Sequence, residues 1–312
     1  MLRLSPAGYR RFAQADSFDI NFGGAEANVA AALAAFGQNA VFVTKLPQNP
    51  IGDAAVGCLR RYGVDVSHIV RGGDRIGIYY YEKGFGERNS NVVYDRAFSA
   101  VSQSTPVDYD WQSVMHGADW FHITGITAAV VDKAIIIAAL KAAKRCGTVV
   151  SVDYNYRSKL WTRQKAAECM RDIIPYADVF IGGETDARDL LGVETASPMT
   201  ELIQKYGIKL AARTERENIS ASENIISAVL YHGGKEYHSK KHTVGIVDRV
   251  GGGDAFDAGL IYALLHKYDC SSAVEFAVAS DSLKHTVEGD IAVATVDEVA
   301  RLAKASGGDV AR

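Results

Sequence analysis

The run Asp248-Arg249-Val250-Gly251-Gly252-Gly253-Asp254 carries the clearest chemical signal in the sequence. Three consecutive glycines let a backbone turn sharply and approach a ligand closely. The residues that follow, DAFDAGLIYALLHK, read as a helix. Backbone N–H groups at a helix N-terminus, helped by the helix dipole, form an anion site. Preorganised donors of that kind stabilise the charge that develops in phosphoryl transfer. Asp254 at the mouth of such a site is placed to accept the proton of an attacking hydroxyl. Taken alone, the glycines fit equally well a turn closed by an aspartate helix cap. Two other phosphate signatures are absent. No G-x-x-x-x-G-K-[ST] loop occurs, and the dinucleotide spacing G-x-G-x-x-G fails at Phe256. Asp248 reads as the anchor of the turn.

Two arginines are candidates for an acidic ligand, because a guanidinium can bind a carboxylate bidentately. Arg157 follows the apolar run VVSVDYN, and the C-terminal ends of strands are where α/β sheets bind ligands. Arg96 follows VVYD. A surface salt bridge is the alternative for each. Tyr79, Tyr80 and Tyr81 alternate faces if they lie on a strand. Tyr79 and Tyr94 are read as ligand contacts, Tyr80 and Tyr81 as cross-strand packing. The eight histidines show no metal-ligand spacing, and His116, His122 and His232 are read as structural.

The elements around these residues alternate. NVAAALAAFG and DAAVGCLRRYG read as helices stopped by Gly37 and Gly63, with AVFVTKL as a strand between them. Residues 74–101 differ. RIGIYYYEKG and SNVVYDRAF, separated by Gly-Phe-Gly, predict a β-ribbon, to which residues 9–22 supply a further strand. DWFHITG, TVVSVDYN, ADVFIGG and KLAART then read as strands separated by helices, and ISAVLYHGGKEYHS as a hairpin. A helix is predicted from Asp254 to about Lys267, and another over SAVEFAVASDSLKHT.

The chain has 312 residues, 48% hydrophobic and 23% charged, enough for a sizeable core. A net charge of -3 gives no argument for a nucleic-acid partner. The cysteines Cys58, Cys146, Cys169 and Cys270 form no C-x-x-C pair, which argues for reduced thiols and a cytoplasmic location. No signal-peptide stretch or membrane-length apolar run is present.

VDRVGGGDAFDAG resembles the C-terminal signature of the ribokinase-like (PfkB-type) sugar kinases, usually written D-T-x-G-A-G-D, and FGGAEANVAAALAAFG resembles their N-terminal signature. Two signatures in the right order are more specific than either alone. The likeness covers essentially the whole chain. Within the family, GGAEANVA, GIYYYEKG, VVYDRAFSA, VDYNYRSKLW and HTVEGD look most like the 2-keto-3-deoxygluconate kinases. The resemblance implies a Rossmann-like three-layer α/β sandwich over residues 1–312, a single ribokinase-like domain, with a small β-sheet lid from about 9–22 and 74–101. It implies ATP and Mg²⁺, with Asp254 as base and Gly251, Gly252 and Gly253 as anion hole and nucleotide contacts. Gly24, Asn28, Tyr79, Tyr94, Arg96, Arg157 and Asp290 are the implied sugar-acid contacts. Glu184 is implied to help organise magnesium and phosphate, although Gly183 stands where many relatives carry Asn. The implied reaction is ATP-dependent phosphorylation of 2-keto-3-deoxygluconate. A kinase of a neutral sugar and a non-catalytic sugar-binding regulator are the alternatives. The exposed lid face is expected to form a homodimer or a higher homo-oligomer. The family pattern begins with a full strand of the central sheet. MLRLSP corresponds to the end of that strand, so a shortened first strand is expected there.

Overall fold

The computed structural model of the chain describes residues 1–304. Strands β1 (Leu2–Ser5) and β2 (Asp19–Phe22) lead into helix α1 (Ala25–Ala35), strand β3 (Thr44–Leu46), helix α2 (Pro50–Arg61) and strand β4 (Ile69–Arg71). The ribbon β5 (Ile78–Glu82) and β6 (Asn91–Asp95) follows, then α3 (Trp111–Met115), β7 (Trp120–Thr124), α4 (Gly125–Val130), α5 (Lys133–Cys146) and β8 (Val149–Asp153). Next come α6 (Arg163–Ile173), β9 (Val179–Ile181), α7 (Glu184–Leu191) and α8 (Pro198–Tyr206). The chain continues through β10 (Leu210–Ser220), β11 (Glu223–His232), β12 (Lys235–His238), β13 (His242–Gly245), α9 (Gly252–Leu265), α10 (Cys270–His285) and α11 (Val296–Lys304).

Side-chain alternation explains the layers. On β9, Val179 and Ile181 enter one core and Phe180 the other; Leu210 and Ala212 of β10 separate from Ala211 in the same way. Strands buried on both faces need a helical layer on each side. Phe256 and Leu260 of α9, Phe276 of α10 and Val29 of α1 cover one face. Leu140 of α5, Met170 of α6, Leu190 of α7 and Leu202 of α8 cover the other. The sheet between them runs β12-β11-β10-β9-β8-β7, with β13 also on β11. The β7, β8, β9 and β10 strands are parallel, so their C-terminal ends share one edge. The fold is the expected ribokinase-like three-layer α/β sandwich. The hairpin between β11 and β12 turns at Gly233 and Gly234, both at positive φ, as its Gly-Gly signal predicts.

The predicted ribbon pairs antiparallel, with Tyr79 opposite Tyr94. It belongs to a second sheet of order β2-β1-β5-β6. The expected shortened strand of the central sheet is therefore not what MLRLSP forms. Leu2–Ser5 pairs with β2 and β5, in a register that aligns Asn21, Arg3, Tyr79 and Tyr94 across the inner face. The reason is Arg3. From the small sheet's inner face its side chain, 1% exposed, donates to Asp290 and Asp248. The strand predicted over AVFVTKL shrinks to Thr44–Leu46, paired with β4 alone.

Candidate active site

The turn before α9 is built by short-range bonds. Asp248 accepts from Val250 N at 3.1 Å, and Gly252 N donates to the Arg249 carbonyl at 3.4 Å. Gly251 has φ +86, and a Cβ there would overlap the Asp290 carbonyl oxygen. Gly252 is crowded by His285 and Asp281. Gly253 is different: a Cβ added to it would meet nothing within 4 Å. Two glycines thus fit the turn against the protein, and the third faces open space at the N-terminus of α9.

Asp254 occupies the first turn of α9. Asn28 Nδ2, from α1, donates to its Oδ2 at 2.6 Å. Burial pushes the Asp254 carboxyl up to about 7; the Asn28 donor pulls against this, and Asp153 adds to it. Asp153 ends β8 and holds Asn155 through both backbone (3.1 Å) and side chain (2.7 Å). Asn155 has φ +38, a conformation rare for a side-chain-bearing residue, and it starts the loop to Arg157. Burial lifts Asp153 to about 6, against the pull of Arg157. One helical turn beyond Asp254, Asp257 is buried near Asp153, and burial followed by its acidic neighbours raises its carboxyl well above the ordinary carboxylate value. His122 Nε2 lies 3.5 Å from Asp257. Burial lowers that imidazole to about 4, so it is neutral at pH 7.

Arg157 acts electrostatically on Asp254, Asp153 and Arg96. Arg96 stacks on the Tyr94 ring at 4.0 Å, and its Nη2 is buried without a partner. Burial and then the Arg157 charge depress its pKa, and no carboxylate offsets them. Tyr79 and Tyr94 stand 6.1 Å apart between ring centroids. Tyr79 donates its hydroxyl to Asp290, which also accepts from Arg3 at 2.9 Å. Gly24 caps α1 at φ +145, and its neighbour Gly23 abuts Asp290.

The structure therefore gathers Gly24, Asn28, Tyr79, Tyr94, Arg96, Arg157, Asp290 and the glycine run with Asp254. Tyr79 and Asp290 are turned toward each other. Glu184 is peripheral: it opens α7 after β9, at the shared strand edge, 3.2 Å from Arg188 and 3.9 Å from Arg213. Sequence reasoning missed Arg3, Asp153 and Asp257. Asp153 sat at a strand end, and Asp257 three residues after Asp254, but an isolated aspartate gives no signal of burial.

The sequence pattern of the pfkB family carbohydrate kinases matches residues 4–296. The chain belongs to that family. Its ATP-using members transfer phosphate to carbohydrate, and this protein is a carbohydrate kinase. The 2-dehydro-3-deoxygalactonokinase of Haloferax volcanii is 34% identical over 99% of this chain and 95% of its own length. The 2-dehydro-3-deoxygluconokinase of Thermoproteus tenax is 32% identical over 88% of this chain and 82% of its own. The crystal structure of 2-dehydro-3-deoxygluconokinase from Thermotoga maritima aligns with a TM-score of 0.95 at 45% identity, covering 98% of this chain and 96% of that one. The PfkB protein is thus a sugar kinase of the 2-dehydro-3-deoxy-sugar type. No described helix is long and apolar enough to cross a membrane.

Proposed function

We propose that this kinase transfers the γ-phosphoryl group of ATP to the 6-hydroxyl of 2-keto-3-deoxygluconate, giving 2-keto-3-deoxy-6-phosphogluconate. The observation that carries the reading is the pair Arg96 and Arg157, with Arg157 acting on Asp254 and Arg96 half-buried, its Nη2 buried without a partner and no carboxylate neutralising it. A neutral sugar leaves that pair uncompensated; the carboxylate of a keto sugar acid completes it.

Asp254 accepts the proton of the attacking hydroxyl, and Asn28 fixes the carboxylate's orientation. Backbone N–H groups at the glycine run stabilise the transferring charge. Tyr94 covers the sugar and Gly24 permits close approach, while Tyr79 and Asp290, the sugar contacts implied by the resemblance, are bonded to each other and to Arg3 and act as the buried support beneath it. The small sheet acts as the lid that excludes water. Among the described residues no group of three or more His, Cys, Asp or Glu forms a metal cage. Magnesium would arrive with the nucleotide, held mostly by phosphate and water, and Glu184 would reach its hydration shell. The ion supplies charge neutralisation.

The test is ADP release across 2-keto-3-deoxygluconate, its galacto epimer, fructose, ribose and gluconate. The highest kcat/KM is expected on a 2-keto-3-deoxy acid; best turnover of fructose or ribose overturns the reading. The Haloferax relative favours one second reading, the 2-keto-3-deoxygalactonate epimer.

A further inference from the structure

The turn before the glycine run holds a cation that the reaction described so far leaves unused. The Arg249 guanidinium is half-buried, and its Nε and Nη2 are buried without a hydrogen-bond partner. The groups that bear on its charge are Arg216 of β10 and Tyr81 of β5, and neither neutralises it. Burial and then Arg216 depress its pKa. Arg3 offers the contrast, being fully buried and answered by two carboxylates. Burying an unpaired cation beside a like charge costs stability. Such an arrangement makes sense where an anion from outside completes it.

Its position says which anion. Arg249's backbone carbonyl accepts from Gly252, within the anion hole. The segment leading to it starts at the turn between β10 and β11, where Ile246 N donates to the Ser222 carbonyl at 2.8 Å. The tip of the small-sheet ribbon is pinned to that same turn by Gly86 N to Ser222 Oγ, 2.9 Å, and Ala221 N to the Gly86 carbonyl, 2.8 Å. Arg249 is thus bracketed by the ribbon, the end of β10 and the phosphate donors. Arg96 and Arg157 form one cationic pair and Arg249 and Arg216 another, which matches a reaction with two separate anions, a carboxylate and a polyphosphate.

We propose that Arg249, backed by Arg216, is the charged wall of the anion hole and grips the terminal phosphates of the nucleotide during transfer. The proposal rests on the kinase reading above. No bond forms to Arg249; its N–H groups donate to non-bridging phosphate oxygens, where negative charge is concentrated.

The experiment compares wild type, Arg249→Gln and Arg216→Gln in steady-state kinetics, and measures binding of inorganic tripolyphosphate to the apo proteins by calorimetry. Arg249→Gln is expected to lower kcat/KM for ATP by roughly 100-fold or more, in line with arginine contributions to phosphoryl transfer. It is expected to weaken tripolyphosphate binding by about tenfold or more, the effect of a lost charged hydrogen bond. KM for the sugar acid stays unchanged, and the apo Tm is equal or higher because an uncompensated charge has gone. Arg216→Gln, at an exposed position, moves both nucleotide readouts the same way by a smaller factor. Wild-type kcat/KM for ATP with wild-type tripolyphosphate affinity in Arg249→Gln overturns the proposal. So does a lowered apo Tm with intact kinetics, which marks a structural arginine, or a rise confined to KM for the sugar acid, which marks a carboxylate site. If the wild type turns over no sugar acid but still binds tripolyphosphate through Arg249, the substrate reading falls and this one stands.

Discussion

Asp254 acts as a base only when ionised, and burial places that ionisation near pH 7, with the carboxyl at about 7. The acid limb of the kcat profile is therefore expected near neutrality, well above a free aspartate. Asn28 donates to the charged form and opposes the shift. Asn28→Ala removes that donor, so the limb moves to higher pH; a limb that stays or moves down contradicts the assignment. Asp254→Asn is expected to lose about 10²–10⁴ in kcat, the range of general-base contributions, while still binding ATP. Because the folded carboxyl holds its proton more tightly than the unfolded one, stability falls as pH rises from the ordinary carboxylate range toward 7. The Asn variant lacks this loss, and its Tm should exceed wild type at pH 8. Arg157 lowers Asp254's pKa as well as being the proposed carboxylate contact. Arg157→Ala should raise KM for the sugar acid by roughly 10- to 100-fold, as expected for a lost charged hydrogen bond, and shift the acid limb upward. A KM within error of wild type would return Arg157 to the surface-salt-bridge reading. Residue types and motif position made Asp254 and the arginines legible in the sequence. The carboxylates behind Asp254 were not, because their role depends on α9 packing against the ends of β7 and β8.

At the scale of elements, the glycine run separates into parts with different tasks. Gly251 meets both a left-handed φ and the Asp290 carbonyl, whereas Gly253 faces open space. Gly251→Ala is expected to lower Tm markedly and abolish activity, since positive φ and overlap combine. Gly253→Ala should keep wild-type Tm but raise KM for ATP, because its Cβ intrudes only on the ligand. Equal Tm losses in the two variants would show that the run is merely a packed turn. The run's helix was legible from period and composition, with the boundary at Gly252 instead of Asp254. The parallel strands were legible from apolar runs between helices. Strand β1 was not, because four residues carry no period, and its sheet is decided by Arg3 reaching Asp248 and Asp290 from the far end of the chain. Arg3→Ala strips both buried carboxylates of their partner, a loss of about 3–5 kcal/mol for a broken buried pair, which urea unfolding would read as a lower midpoint.

For the whole molecule, the small sheet's two faces have different chemistry because its strands alternate. The inner row Asn21, Arg3, Tyr79 and Tyr94 points at the site, and the registers place Ile20, Leu4, Tyr80 and Val93 in a row on the other face. Ile20 is 62% exposed and Val93 49%, with Phe18 edge-on to Tyr80 beside them. Apolar side chains joined across neighbouring strands make an exposed patch of the kind that marks an interaction surface. A second copy of the chain presents the same row, and an isologous contact lets apolar rows cover each other. The homodimer expected from the sequence is proposed to use this face. Ile20→Glu with Val93→Glu puts four like charges into such an interface. Light scattering behind size exclusion should then show monomer for the variant and dimer for the wild type. If the sheet's attitude over the site depends on its partner, the monomer should also have a higher KM for the sugar acid while retaining its fold by circular dichroism. A wild-type monomer at micromolar concentration, or a variant that remains dimeric, would move the interface elsewhere.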